Sequence, residues 1–240
     1  MKKIFSLFCA ALMSVAVMAD HYIAGSFTNW ATDQVAMTAI EGTTCSKATI
    51  DIQETDEYGY VQFKVVDGAW YGLGTGAAME NTRFGWGLSN RNSDDSGDAD
   101  NISLHVATKG EYTFIYNYDV NGDQTYAKTI SVIFPNTQFV AAGSEGLFGS
   151  DWSATDTNNQ LTDTDDDLVY SLVKEGVELA EGNYEFKVVA NSDWDNAAFP
   201  GSNKTIAIAK SGIYDVTITF NVLTQAVTAE AELKEEAVVL

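Results

Sequence analysis

Two short segments of the chain repeat one pattern, in which a strand that carries a lysine runs into a polar turn and a tryptophan. The first segment holds Lys64 and Trp70, and the second holds Lys187 and Trp194, each lysine within the sequence Phe-Lys-Val-Val. In each strand the apolar residues share one face and the lysine lies on the other. An indole ring at a turn can stack on the apolar face of a sugar while a lysine or amide binds the hydroxyl groups. The pattern indicates a glycan-binding site, and we expect both lysine strands at sheet edges.

The tryptophans share a second feature, because all of them lie in or beside sequence typical of turns: Trp30, Trp70, Trp86, Trp152 and Trp194. A large ring at such a place either caps the end of a sandwich core or is held open for a ligand. For any one tryptophan the sequence leaves both interpretations open. The repetition of the lysine–tryptophan pattern favours the ligand.

Catalytic patterns are weak by comparison. Ser144 lies in a Gly-Ser-Glu-Gly sequence that is close to a hydrolase nucleophile elbow, but that motif needs a following helix and a histidine partner. We expect no helix after Ser144, and His21 and His105 are the histidines available. Carboxylate pairs for glycoside hydrolysis can be drawn from the many acids, yet most acids lie in turns, where they are solvated. We therefore predict a protein that is not an enzyme.

Metal binding is predicted only as an alternative. Asp119, Asn121 and Asp123 place oxygen side chains at alternate positions, as calcium loops do, and the run at 163–167 is denser in acids. However, Asn-Gly at 121–122 is also a favoured hairpin turn, and no glutamate closes the loop at the twelfth position. The sequence predicts no cofactor, with Ca²⁺ at Asp119, Asn121 and Asp123 as the alternative to a plain hairpin.

Export is indicated by residues 1–19, which have the features of a cleaved signal peptide: a basic start, an apolar stretch and a small-residue cleavage site. Their removal takes away Lys2 and Lys3 and no acid, so the net charge falls from −21 to −23. Such acidity argues against nucleic acid and anionic membranes as partners. No later segment is apolar enough to be a transmembrane segment. We expect an exported bacterial protein that is periplasmic, on the cell surface or secreted.

The same plan of short alternating strands and turns occurs twice along the chain. Each unit opens on an apolar strand that ends in Gly-Ser, contains the lysine strand, and closes with a hairpin that begins at a glycine. We predict an all-β protein of two tandem β-sandwich modules: the first at 20–134 with a long loop at 71–100, the second at 137–228, and an acidic tail at 229–240 that is either frayed or helical. Cys45 is the cysteine left after processing, so we expect no intramolecular disulfide and a buried thiol.

Both modules resemble known carbohydrate-binding modules. In the first, the segments Gly25–Trp30 and Asp67–Trp70 with Asn101 resemble the glycogen- and starch-binding modules of the AMP-activated kinase β-subunit, isoamylases and branching enzymes. In the second, Tyr184–Lys187 and Asp193–Asn196 resemble the accessory modules of bacterial pullulanases. They also resemble the tandem modules of outer-membrane starch-binding proteins in Bacteroides-type starch systems.

The resemblance implies immunoglobulin-like sandwiches that bind α-1,4-linked glucose (starch, glycogen or maltooligosaccharide) without cleaving it. It also implies other outer-membrane or surface glycan-uptake proteins as partners. The site residues that it implies are Trp30, Lys64, Trp70 and Asn101 in the first module and Trp152, Lys187, Trp194 and Asn203 in the second. The second module spreads its opening Gly-Ser…Trp over more residues, so the sequence does not fix whether Trp152 takes the place of Trp30.

Two other functions remain open at this stage. A structural or adhesive cell-surface protein would use the same sandwiches for protein contacts, with the tryptophans buried at an interface. A glycoside hydrolase would need a carboxylate pair that no motif reveals. The exposure of the tryptophan rings separates the glycan-binding prediction from the adhesive one.

Overall fold

A computed structural model of the protein describes residues 21–31, 35–67, 69–72, 78–79, 85–89, 91–92, 101–117, 129–195 and 197–236. Almost all regular structure in these residues is β-strand, which confirms the predicted all-β class. None of the helices in these ranges is long and apolar enough to cross a bilayer. The predicted signal peptide at 1–19 and the turn that holds Asp119, Asn121 and Asp123 lie outside the described residues.

The first module forms two sheets. Its strands are β1 (Tyr22–Gly25), β2 (Val35–Ala36), β3 (Thr38–Ala39), β4 (Cys45–Ile52), β5 (Tyr60–Asp67), β6 (Ala69–Gly72), β7 (Ala78–Met79), β8 (Gly85–Ser89), β9 (Arg91–Asn92), β10 (Ile102–His105), β11 (Gly110–Asn117) and β12 (Thr129–Ile133). One sheet has the order β2-β1-β5-β10-β7, with β6 attached to β5 and β9 to β6. The other sheet has the order β3-β4-β11-β12-β8. A short 3₁₀ helix, Ser26–Thr28, follows β1.

The second module also forms two sheets. Its strands are β13 (Phe139–Gly143), β14 (Gln160–Leu161), β15 (Val169–Leu179), β16 (Gly182–Ala190), β17 (Ala198–Ile208), β18 (Gly212–Asn221) and β19 (Ala226–Glu236). They pair in the orders β14-β13-β16-β17 and β15-β18-β19. The connection from β13 to β14 holds the short helix α1 (Glu145–Phe148) and a 3₁₀ helix, Thr157–Asn159.

The inward faces of each pair of sheets pack into one core, as the alternating strands predict. In the first module Phe63 of β5 meets Phe114 of β11 across the sandwich, with ring centroids 4.8 Å apart. In the second, Phe139 of β13 meets Phe220 of β18 at 4.9 Å. These four rings are fully buried. The predicted pair of sandwiches is confirmed.

The two modules contact each other through an apolar junction. Ile40, Cys45, Ile115 and Ile133 of the first module belong to the same buried cluster as the core of the second. The ammonium of Lys47 adds a polar contact to Asp166. Cys45 is therefore buried as predicted, and burial raises the pKa of its thiol.

The strand pairings show that the second module repeats the first. Ala24 of β1 lies opposite Lys64 of β5, and Ala142 of β13 lies opposite Lys187 of β16. The glycine that follows each alanine lies opposite the phenylalanine that precedes each lysine. The same two strands are thus used twice in the same register. The repeated Phe-Lys-Val-Val sequence reflects this structural equivalence.

Three sequence-based expectations are wrong in detail. The lysine strands are not at sheet edges: β5 pairs with β1 and β10, and β16 pairs with β13 and β17. The alternation of apolar and polar residues shows which face of a strand is buried, but not whether both of its backbone edges are paired. A short helix, α1, does follow Ser144. Residues 229–236 continue β19 rather than forming a frayed or helical tail, because their alternating small residues pair with β18 and the acids point outward.

In each module a tyrosine hydroxyl donates a hydrogen bond to a backbone carbonyl four residues earlier, at a corner of the sandwich. Tyr112 donates to the carbonyl of Thr108 at 2.8 Å, and Tyr214 donates to the carbonyl of Lys210 at 2.7 Å. Removing either hydroxyl loses one hydrogen bond, which contributes about 0.5–1.5 kcal/mol. We expect Tyr112→Phe and Tyr214→Phe to lower the free energy of unfolding by similar amounts in urea titrations. A neutral effect in one variant would show that the corner is not duplicated energetically.

A second prediction concerns Tyr170, which lies near the junction. Its ring packs against Phe139 at 4.6 Å, and burial, followed by the charges of Asp163 and Asp166, raises its pKa to about 12. Because the folded state holds the phenol proton more tightly, this contribution to stability is complete below the unfolded pKa of about 10. It is lost as the pH rises toward the folded value. We expect Tyr170→Phe to remove one step near pH 12 from a tyrosinate absorbance titration; an unchanged absorbance change at that pH would contradict this placement.

Candidate functional site

Trp30 and Trp152 occupy equivalent places in the two modules. The backbone N–H of Trp30 donates to the carbonyl of Gly25 at 2.9 Å, and that of Trp152 donates to the carbonyl of Gly143 at 2.9 Å. Both tryptophans have left-handed backbone, with φ of 61° and 50°. The structure therefore resolves what the sequence left open: the longer opening of the second module still delivers its tryptophan to the place of Trp30.

The serine after each glycine holds this place against the lysine strand. The Oγ of Ser26 accepts the backbone N–H of Gln62 at 3.2 Å, and the Oγ of Ser144 accepts that of Glu185 at 2.9 Å. The preceding glycine is required because its neighbour is too close for a side chain. A Cβ on Gly143 would collide with the carbonyl of Glu185. The Gly-Ser sequence is thus the local cause of the tryptophan position.

A tight turn after β16 presents Trp194. Asn191 and Ser192 both have positive φ, 51° and 61°, and the N–H of Asp193 closes the turn on the carbonyl of Ala190 at 2.9 Å. The side chain of Asn191 accepts the N–H of Gln138 at 2.8 Å, which ties the turn to the start of β13. Trp194 is 40% exposed. Its prediction as a turn-borne, accessible ring is supported by these positions.

The two tryptophans of the second module form a pair. The ring centroids of Trp152 and Trp194 are 6.2 Å apart, and the ring planes are inclined by 52°. The Oγ of Ser192 donates to the carbonyl of Ala154 at 3.1 Å, which joins the two tryptophan loops. Trp152 is half-buried. The result is an angled aromatic surface with one ring open to solvent.

The loop that carries Trp152 reaches the outer face of the sheet, on the side away from the core, through Ala154. Ala142, Val189 and Ala154 form a small apolar cluster there, separate from the main core. Lys187 belongs to the same face of β16 as Val189, because the two are separated by one residue. Ala154 of the Trp152 loop and the side chain of Lys187 therefore lie on the same face of this sheet.

The predicted polar partners of the second module are held by hydrogen bonds. The ammonium of Lys187 donates to the carbonyl of Gly201 at 2.7 Å, so its position is fixed while the side chain remains half-buried. The amide of Asn203 donates to the carboxylate of Glu185 at 3.1 Å and is exposed. Asn203 lies in β17, on the strand next to Lys187.

The first module repeats this polar arrangement. The amide of Asn101 donates to the side-chain oxygen of Gln62 at 3.0 Å, as Asn203 does to Glu185. Lys64 differs from Lys187 because only 7% of it is exposed. Trp70 lies in β6, where its backbone pairs with Val66, rather than in a turn. The side chain of Trp70 lies outside the described residues.

The sequence did not reveal the residues that organise the loop of Trp152. Asn159 is fully buried, and its amide donates to the carbonyl of Phe148 at 3.0 Å and to the carboxylate of Asp156 at 3.1 Å. Its oxygen accepts the ammonium of Lys174 at 2.7 Å. The one available signal was the Asp-x-x-Asn spacing of the 3₁₀ turn at 156–159, which is common in ordinary turns.

Acidic residues gather at the turn after β14. Carboxylate oxygens of Asp163, Asp165 and Asp167 lie within 4.8 Å of one another. The carboxylate of Asp163 accepts backbone N–H groups from Asp166 at 2.8 Å and from Leu168 at 2.9 Å. Asp163 therefore stabilises its own turn through these backbone contacts.

An open cleft in the first module lies apart from these residues. It has a volume of about 690 Å³ and lies between Phe27, Asn29, Tyr60 and the segment 51–56. Neither Trp30 nor Lys64 lines it. A surface on which a ring stacks is flat, so the candidate site need not coincide with a cavity.

Comparisons with known proteins bear on the second module. Residues 140–227 match the family model described as the pullulanase X25 domain. A comparison with curated proteins gives no match. Among solved structures, the one described as "Ligand induced structure of AmyP-SBD" is 15% identical, with a TM-score of 0.35, and the match covers 56% of this chain and 95% of that one. The second module is thus similar to the X25 domain of pullulanases, which confirms the resemblance predicted from its sequence.

Proposed function

We propose that the second module binds α-glucan on the surface formed by Trp152 and Trp194, and that the protein does not cleave it. The observation that carries this proposal is the ring pair, with centroids 6.2 Å apart and one ring 40% exposed. Two adjoining indoles with one ring open to solvent form a contiguous apolar surface, and such surfaces mark places where partners bind. Sugar rings present the apolar face that suits such a surface.

The inclination of the two rings favours a curved glycan. Consecutive units of an α-1,4-linked chain turn relative to one another, so their faces are not coplanar. Two indoles inclined by 52° fit two such units better than a flat ribbon, which would need coplanar rings. The geometry therefore favours starch-like chains over the flat β-1,4-linked chains of cellulose.

Polar groups on the same sheet can bind the hydroxyl groups. Lys187 carries three N–H donors, of which one is used by the carbonyl of Gly201. Glu185 offers carboxylate acceptors, and Asn203, which contacts it, offers an amide oxygen. Their mutual contacts fix their positions before a ligand binds, which reduces the entropy lost on binding.

The charge and the relatives agree with a neutral polysaccharide. At a net charge of −21 the chain repels anionic polymers but not uncharged ones. The X25 domain that the second module matches is a domain of pullulanases. The proposal extends to the first module through Trp30, which holds the place of Trp152, with Lys64, Trp70 and Asn101 as its further residues. Two sites on one chain would strengthen binding to a polymer by avidity.

We also propose an exported location for this binding. The signal-like sequence at 1–19 and the acidic composition suit an extracytoplasmic protein. There it would hold α-glucan for other surface proteins that take up glycans. Cell fractionation with an antibody to the second module tests this location; recovery in the cytoplasm would contradict it.

Affinity electrophoresis of residues 20–240 in starch, glycogen, xylan and cellulose gels tests the glycan. We expect retardation by starch and glycogen only, and no release of reducing sugar. Trp194→Ala should raise the dissociation constant about five- to hundredfold, if a sugar stacks on the ring as strongly as a nucleic-acid base does, on the order of 1–3 kcal/mol.

Tyr58→Ala is the matched control, because Tyr58 is a 73% exposed aromatic residue of the other module. It should migrate as the parent protein does. Equal loss in both variants would show non-specific contact, and unchanged retardation in Trp194→Ala would rule out the ring pair as the binding surface. Lack of retardation by every glycan would favour a structural or adhesive role.

A further inference from the structure

We propose that Asn159, together with Asp156 and Lys174, positions Trp152 against Trp194 and so sets the affinity of the second module. The inference rests on the proposed function for its consequence in glycan binding. Its structural part, the placement of one ring against another, can be tested without any ligand. These residues are polar, lie away from the lysine strand and belong to no motif that the sequence reveals.

The connection from Gly143 to Trp152 is long, and this explains why Trp152 needs additional contacts to hold it in place. In the first module Gly25 and Trp30 are five positions apart in the sequence, whereas Gly143 and Trp152 in the second are nine positions apart. Helix α1 fills the difference. A longer connection has more conformations, so reaching the same N–H to carbonyl contact costs more entropy. Contacts that restrict the connection must offset that cost.

The loop that carries Trp152 is closed by a hydrogen bond across it. The Oγ of Ser150 donates to the carboxylate of Asp156 at 2.8 Å. The other oxygen of Asp156 accepts the backbone N–H of Asn158 at 3.1 Å. Trp152 lies between the two bonded ends. Hydrogen bonding from Ser150 is the largest cause that lowers the pKa of Asp156, which shows that the contact favours the charged carboxylate.

Asn159 fastens this closed loop to the rest of the module. One side-chain nitrogen bonds both the carbonyl that ends α1, at 3.0 Å, and the carboxylate of Asp156, at 3.1 Å. The side-chain oxygen accepts from Lys174 of β15, which belongs to the opposite sheet. With none of its surface exposed, Asn159 would leave unsatisfied groups if any of these contacts were lost.

The ammonium of Lys174 is partly buried and contacts more than Asn159. Burial lowers the pKa of its ammonium, and the charge of Asp156 acts in the opposite direction. The ammonium also lies 5.9 Å from the ring centroid of Phe148, the last residue of α1. Lys174 therefore holds both the helix and Asn159. Through Ser150 and Asp156 the restraint reaches the loop on both sides of Trp152.

The experiment compares Lys174→Met with Lys174→Arg in residues 20–240. Methionine keeps the apolar stem but removes the donor, whereas arginine keeps a donor for the oxygen of Asn159. Asn159→Ala serves as a second variant, and urea titration shows which variants fold. Tyr214→Phe is the control, because it weakens the same module without contacting the loop.

The readout is the exciton couplet of the indole pair in far-ultraviolet circular dichroism, identified by its loss in Trp152→Ala and in Trp194→Ala. We expect Lys174→Met to lose most of the couplet while remaining folded, and Lys174→Arg and Tyr214→Phe to keep it. Lys174→Met should also raise the dissociation constant for starch about tenfold, because the ring of Trp152 is then no longer held in place before the glycan binds.

The possible results separate the two proposals. A couplet retained in folded Lys174→Met and Asn159→Ala would overturn the positioning role, whatever glycan is bound. A couplet lost in Lys174→Met but kept in Lys174→Arg would support it even if the parent protein bound no starch. In that last case the proposed function would fail and the positioning inference would stand.

Discussion

A glycine carbonyl that accepts the backbone N–H of a tryptophan is the contact on which both modules depend. Gly25 and Gly143 end the first strand of each module, packed so closely on the lysine strand that a side chain would collide with its backbone. The carbonyl of each is aimed at the left-handed residue that carries the ring. One backbone contact therefore couples the sheet to the aromatic surface, and neither can shift without the other.

The two modules reach this contact by different physical means. In the first, a short 3₁₀ turn suffices because few residues need to be restrained. In the second, α1 brings Leu147 and Phe148 into the core, and the chain must then return to the outer face. Buried polar contacts around Asn159 accompany that return. Added apolar burial at one end of the sandwich thus requires a polar anchor beside the ring.

The sequence predicts the repeated elements well because their signals are local. Alternating faces identify the strands, and Asn191-Ser192 marks the turn that exposes Trp194. The equivalence of Trp152 and Trp30 is not local, since it depends on a backbone contact that different chain lengths can reach. The role of Asn159 cannot be recognised in the sequence for the same reason: its partner Lys174 is fifteen residues away, on a strand of the other sheet. Residues 229–236 of β19 differ from the predicted tail because acids suppress strand propensity, whereas pairing with β18 outweighs it.

The junction between the modules determines how the two proposed binding surfaces could act together on one polymer. A flexible linker would set the effective concentration of the second site by its length alone. Here Cys45 and Ile133 belong to the buried cluster of the second module, and Lys47 contacts Asp166 across the junction. Separating the modules would expose that apolar surface to water, which is unfavourable. The spacing of the two proposed surfaces is therefore a property of the packed junction, and a glycan gains avidity only where its own curvature matches that spacing.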